Sequence, residues 1–221
     1  MILTETHVIR KNHQLYKTFD EMAFKAKNLY NSVLYHYRQV HFLNRLLFQM
    51  GRKTHKLKHL SWQKLCKTFK THPNYISINN TKIAQLIIKF ASTDWFSYLA
   101  ALSTYSKRPD KFKSRPQMPR YKNKITGRAI IILTTQTFQR TYIKNNEIKT
   151  TFMPKAIPFQ YWKKGNLGAI KEVKIVPREN HYVFSICYER QVISKIKPNE
   201  DGNFNKAGID LGVNNLAAIA I

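Results

Sequence analysis

Three prolines set within a run of positive charge decide how this chain can be divided. Residues 107–128 read KRPDKFKSRPQMPRYKNKITGR, with nine Lys or Arg, one acid, and Pro109, Pro116 and Pro119. Each proline removes an amide donor and crowds the preceding turn, so no helix crosses the stretch. What remains is an extended strap carrying Lys111, Lys113, Arg115, Arg120, Lys122 and Lys124 along its length. Apolar residues recur at spacings of three and four before it, and in strand-like runs after it. Phe112 and Tyr121, interleaved with the basic residues, suit a surface that binds phosphate backbone and stacks bases.

In the helical part, Phe19, Met22, Ala26, Leu29, Val33, Tyr37 and Val40 share one helical stripe. Thr18-Phe19-Asp20-Glu21 reads as a capping box, which predicts a long helix from there to about Met50. Ser61 is placed to cap a short helix with Trp62, Leu65 and Phe69 inward, ending near His72-Pro73. Asn80 or Thr81 starts a third, with Ile83, Leu86, Ile87, Phe90, Leu99 and Leu102 inward. On its other side Thr81, Gln85 and Lys89 line up, with Lys82 beside them. Such a polar stripe either faces water or enters a groove, where Gln pairs with an adenine edge and Lys with guanine or phosphate. His55 and His59 are four apart, but lysines lie between them and no acid is near, which argues against zinc.

Charge narrows the partners. The 221 residues hold 38 Lys+Arg against 12 Asp+Glu, a formal net charge of +26. Residues 22–93 contain no acid at all, so the cationic helix faces lack the opposite-sign neighbours that normally support them. An external polyanion is implied, nucleic acid before an anionic membrane surface. No apolar run reaches spanning length and residues 1–12 contain no secretory core, so no membrane partner is expected. Cys66 and Cys187 form no C-x-x-C pair, and a cytoplasmic, nucleoid-associated address follows.

Past the strap, 129–134, 137–143, 147–152, 170–176 and 182–189 are rich in β-branched and aromatic residues. Turn signals stand at 144–146 and 177–180. Short strands with tight turns predict a small antiparallel barrel. Residues 6–10 add a candidate edge strand, and polar residues 194–205 read as a linker. The chain then closes on KAGIDLGVNNLAAIAI, two apolar runs about a Val-Asn-Asn turn: a β-hairpin with Asp210 on its first strand. A carboxylate among Gly208, Ile209 and Leu211 needs a metal ion, a basic side chain or backbone amides to replace lost water.

GIDLGVNNLAAIA resembles the first catalytic segment of the RuvC-like nuclease domain in the transposon-encoded TnpB (OrfB) family. These are RNA-guided DNA endonucleases related to type V CRISPR effectors. Gly-Ile-Asp-Leu-Gly also opens sugar-kinase and actin-like ATPases, but Val213 and Asn214 stand where those place phosphate-holding hydroxyls. PQMPRYKNK resembles the passage joining the helical lobe to the β-domain in TnpB proteins, and VKIVPRENHYVFSICYE the hairpin of their wedge domain.

The resemblance implies an α+β fold: a helical recognition lobe inserted into a small oligonucleotide-binding-like barrel, then the first hairpin of an RNase H/RuvC-like domain. The boundaries it implies are 1–12 for the first barrel strand, 13–106 for the lobe, 107–128 for the strap and 129–193 for the barrel. The linker is then 194–205 and the incomplete nuclease start 206–221. Asp210 becomes the first of three metal-binding carboxylates, and Lys82 and Gln85 duplex-contacting residues. Partners are guide RNA and DNA, with a second polypeptide possible for the missing nuclease part; a non-catalytic repressor or element-maintenance factor is the alternative. Mg²⁺ is the ion of the complete family nuclease. One carboxylate cannot seat the metal pair, so neither stable Mg²⁺ binding nor cleavage by this chain alone is expected, and the family's zinc ribbon is absent.

Overall fold

The computed structural model describes residues 2–52, 57–159, 167–190, 208–210 and 218–220. The fold is α+β, with a four-stranded antiparallel sheet and a group of helices sharing a core. Strand β1 (Ile2–Arg10) leads into helices α1 (Tyr16–Gln49), α2 (Trp62–Phe69), α3 (Pro73–Ile76) and α4 (Thr81–Lys107). After the strap come β2 (Ile131–Leu133), α5 (Arg140–Lys144), β3 (Glu147–Ile148), β4 (Ile157–Pro158), β5 (Leu167–Pro177) and β6 (His181–Arg190). The main sheet runs β1-β6-β5-β2. Its first strand pairs with β6 from Ile2↔Glu189 to Arg10↔His181, so all five of these helices intervene in sequence between neighbours in space.

One face of this sheet carries the core. Tyr182, Phe184, Ile186 and Tyr188 alternate inward on β6, and Ile170, Val173 and Ile175 do so on β5. Ile170 and Val173 are an odd number of residues apart and would face opposite sides of a regular strand. A shift of register between Ile170 and Glu172 brings both inward. The first turns of α1 cover them: the Phe19 ring stacks on Phe184 at 6.0 Å and meets Tyr182 edge-on at 6.2 Å. Burying a ring of this size contributes about 1.5–3 kcal/mol, so Phe19 is a main tie between helix and sheet.

The long first helix ends where its pattern predicts but does not begin on the predicted capping box. Leu15 takes the cap position with no side-chain bond, while His13 Nδ1 accepts from the Leu15 amide at 3.1 Å. Asp20 lies inside the helix, where Arg128 and Tyr182 claim its carboxylate. A charge-assisted pair and a fully buried Leu15 outweigh a local cap. The other two starts hold: Ser61 accepts from the Lys64 amide at 3.5 Å and Asn80 from the Ile83 amide at 3.1 Å. On α4 the buried stripe is Ile83, Ala84, Ile87, Ile88, Ala91 and Trp95, leaving Leu86, Phe90, Leu99 and Leu102 half-buried. Trp95 stacks on Tyr37 at 5.7 Å with planes 3° apart, which joins α4 to α1.

The β part departs from expectation in three ways. No closed barrel forms among the described residues; the four-stranded sheet stays open, and β3 and β4 make a separate pair. Residues 137–143 coil into α5 and a preceding single turn at Thr135–Thr137, since the Tyr142 and Ile143 amides both turn back to the Gln139 carbonyl. The strand predicted over 147–152 is two residues long, followed by a turn in which the Met153 amide reaches the Thr150 carbonyl. Asn146 at φ 59 takes the left-handed conformation at the predicted turn. At the far end, β7 (Gly208–Asp210) and β8 (Ala218–Ala220) pair antiparallel with Ile209 opposite Ile219, the backbone of the expected hairpin.

Candidate nucleic-acid interface

Asp20, Lys27, Asn31 and Arg38 are separated by seven, four and seven residues, which at about 100° per residue puts all four within about 40° on one side of α1. The strap is bound to that side, running antiparallel. Arg38 Nη2 donates to the Pro119 carbonyl at 2.7 Å. Asn31 bonds both polar groups of Lys122, accepting from its amide at 3.0 Å and donating to its carbonyl at 2.9 Å. Lys27 Nζ donates to the Lys124 carbonyl at 2.6 Å, and Asp20 receives Arg128 through two bonds of 2.7 Å. The lengths agree: eleven helical residues from Lys27 to Arg38 rise about 16 Å, as do five extended residues from 119 to 124.

The anchors are chemically distinct. Arg128 is fully used, its remaining Nη1 donating to the Ile125 and Gly127 carbonyls, and the Tyr182 hydroxyl donates to Asp20 at 2.7 Å. The Arg128 guanidinium beside Asp20 holds that carboxyl below the usual carboxylate range. Lys27 is buried, 3.8 Å from the Phe24 ring centroid, and burial with Arg128 and Lys124 close by lowers its ammonium pKa. Between the last anchors, Asn123 Oδ1 accepts from the Ile125 and Thr126 amides. Gly127 turns so close to Asn123 that a Cβ would strike its backbone.

The Pro119, Lys122 and Lys124 carbonyls are bonded to α1, and most of the strap's cations stand in solvent. Lys111, Lys113, Arg115, Arg120 and Lys124 are exposed; Lys122 is half-buried with Nζ 4.9 Å from the centre of Tyr30. Tyr121 is exposed, and Arg38 lies 4.4 Å from its ring centroid. Phe112, expected in the stacking surface, instead packs edge-on against Tyr105 at 5.7 Å. Among the described residues, Lys and Arg pair with carboxylates at Arg128–Asp20, Lys171–Glu189 and Lys174–Glu172, all in or beside the sheet. None of the six named strap cations has such a partner there. Beyond the strap's end an open groove of about 860 Å³, lined by Asp20, Arg128 and Tyr182, has Lys11 and Arg178 exposed on its walls.

The other predicted residues lie elsewhere. Lys82 and Gln85 are both half-buried near the start of α4. Lys89 lies 5.7 Å from the Trp62 ring. The His59 ring packs near Tyr37, Trp95 and Phe96, and His55 is outside the described residues. Asp210 pairs through its backbone with Ala218, and its side chain is also outside them. Among the described residues no three His, Cys, Asp or Glu converge to hold a metal ion. No helix among them is long and apolar enough to cross a membrane.

The residues that sequence reasoning misses are the anchors Lys27, Asn31 and Arg38. Their signal is a polar file on a helix whose adjoining positions, Ala26, Tyr30 and Leu34, are apolar and buried. A polar file so flanked needs a polar partner, and the strap's unpaired carbonyls supply one. No protein-family model matches this sequence, and no curated protein matches it either.

Proposed function

We propose that this chain is a nucleic-acid-binding protein whose strap grips phosphate backbone, acting as the RNA- and DNA-holding part of a TnpB-like RNA-guided endonuclease. The observation that carries the reading is the set of exposed strap cations without carboxylate partners, of which Arg120 and Lys124 sit on a stretch of backbone held by α1. A cation row that neutralised its own molecule would face acids, as Lys171 and Lys174 do. Supporting the finer assignment are the resemblance of the terminal segment and a helical lobe lying in sequence between β1 and the rest of its sheet. The lobe is then the recognition part, and the sheet the wedge-like part that holds the RNA scaffold.

The test is binding of the full chain to labelled RNA and DNA over a salt series. Each phosphate neutralised contributes a slope of about −0.7 to −0.9 in log K against log salt. Replacing Arg120 and Lys124 together by Ala should lower affinity for all sequences and flatten the slope by about 1–2. A slope near zero, or one untouched by the double substitution, removes the basis of the proposal. Sequencing RNA that co-purifies with the expressed chain separates the two forms of it. One defined RNA supports the guided reading, whereas sequence-blind binding supports a non-catalytic basic binder.

A further inference from the structure

Tyr121 stands between two of the strap's anchors and is supported on one side of its ring. The Arg38 guanidinium lies 4.4 Å from the ring centroid and is itself fixed by its 2.7 Å bond to the Pro119 carbonyl. The tyrosine is nevertheless 42% exposed. Arg38 lies over one face, and among the described residues no second ring or cation is stacked on it. Phe112 is half-buried and meets Tyr105 edge-on, and Tyr30 is buried beneath Lys122, so Tyr121 is the most exposed of the three rings. Arg120 and Lys124 are exposed on the same short run of extended chain.

We infer that Tyr121 is a stacking platform for one unpaired base of a single-stranded nucleic acid, with Arg120 and Lys124 holding the phosphates on either side. Bases inside a duplex have both faces covered by their neighbours, so a lone ring on a cationic rail selects the single strand. The backbone on both sides is already bonded to α1 and the ring already rests on Arg38. Little chain freedom is therefore lost when a base arrives. This deepens, and rests on, the nucleic-acid binding proposed above.

The test uses the full chain with short oligothymidylate and oligouridylate, read by fluorescence anisotropy. Tyr121→Ala should weaken binding about tenfold or more, and Tyr121→Phe should keep wild-type affinity. The salt slope should be the same in all three proteins, because no phosphate contact is removed. With the unaltered chain, an abasic oligonucleotide should bind as weakly as oligothymidylate binds Tyr121→Ala. Tighter binding of oligouridylate would assign the platform to RNA, and of oligothymidylate to DNA. Wild-type affinity in Tyr121→Ala, or equal binding of abasic and base-bearing strands by the unaltered chain, overturns the platform. The abasic comparison needs no variant, so misfolding cannot imitate either result. If the platform fails while salt-sensitive binding persists, the proposed function stands; if no oligonucleotide binds at any salt, both fall.

Discussion

Asp20 is the residue on which the helical and β parts depend together. It receives Arg128 from the strap and the Tyr182 hydroxyl from β6, both of them distant in sequence. Hydrogen bonds from Arg128, then from Tyr182, favour its ionised form more than burial opposes it, and its pKa is lowered. A carboxyl with a depressed folded-state pKa contributes stability that is fully present above its unfolded value, near 3.9, and is lost as pH falls through the folded one. Asp20→Asn should therefore flatten the acid limb of a stability–pH curve below about pH 4. At neutral pH it should cost about 1–2 kcal/mol, the lower part of the range for charged hydrogen bonds because the pair is partly exposed. Urea denaturation from pH 2 to 7 checks both. An unchanged acid limb in the variant would mean that other carboxyls carry the pH dependence.

Among the elements, the strap is the one whose conformation is borrowed, since it has no ladder of its own and takes its bonds from α1. Asn31→Ala removes both bonds to Lys122 at once. It should speed hydrogen exchange at the Lys122 amide and weaken oligonucleotide binding, while the Phe19–Phe184 contact and the sheet keep their protection. Equal acceleration across the sheet would show instead that strap and sheet open as one unit. The same dependence explains what the sequence discloses. Helix starts are readable where the deciding group is local, as at Ser61 and Asn80, and unreadable at α1, where Asp20 answers to a residue 108 positions away. Residues 137–143 carry strand-forming side chains yet coil, because the Gln139 amide is taken by the Lys149 carbonyl and the next amides fold back on Gln139. The open sheet is the same kind of failure: β-rich runs identify strands, but closure depends on which edges meet. The strap's cations are plain in the sequence; that its carbonyls are bound and its tyrosine is backed by Arg38 is settled by residues some eighty positions apart.

At the scale of the whole molecule, a formal charge of +26 on 221 residues sets two opposing responses to salt. In the free chain the exposed cations repel one another more in the compact state than in an expanded one, and added salt screens that repulsion. The melting temperature of the free chain should therefore rise between about 20 and 300 mM NaCl. With an oligonucleotide bound, the cations meet phosphate instead of each other. Ligand at about a hundred times its Kd adds about 2.7 kcal/mol, worth about 5–10 °C for a chain of this size. Salt then acts in the other direction, weakening the complex through counterion competition, so the melting temperature of the bound form should fall over the same range. The two curves should converge at high salt, where the complex has dissociated and only the screened chain remains. Melting curves at several salt concentrations, with and without oligonucleotide, test this directly. A free chain indifferent to salt would mean that its cations are already neutralised within the molecule, and the case for an external polyanion would fail with it.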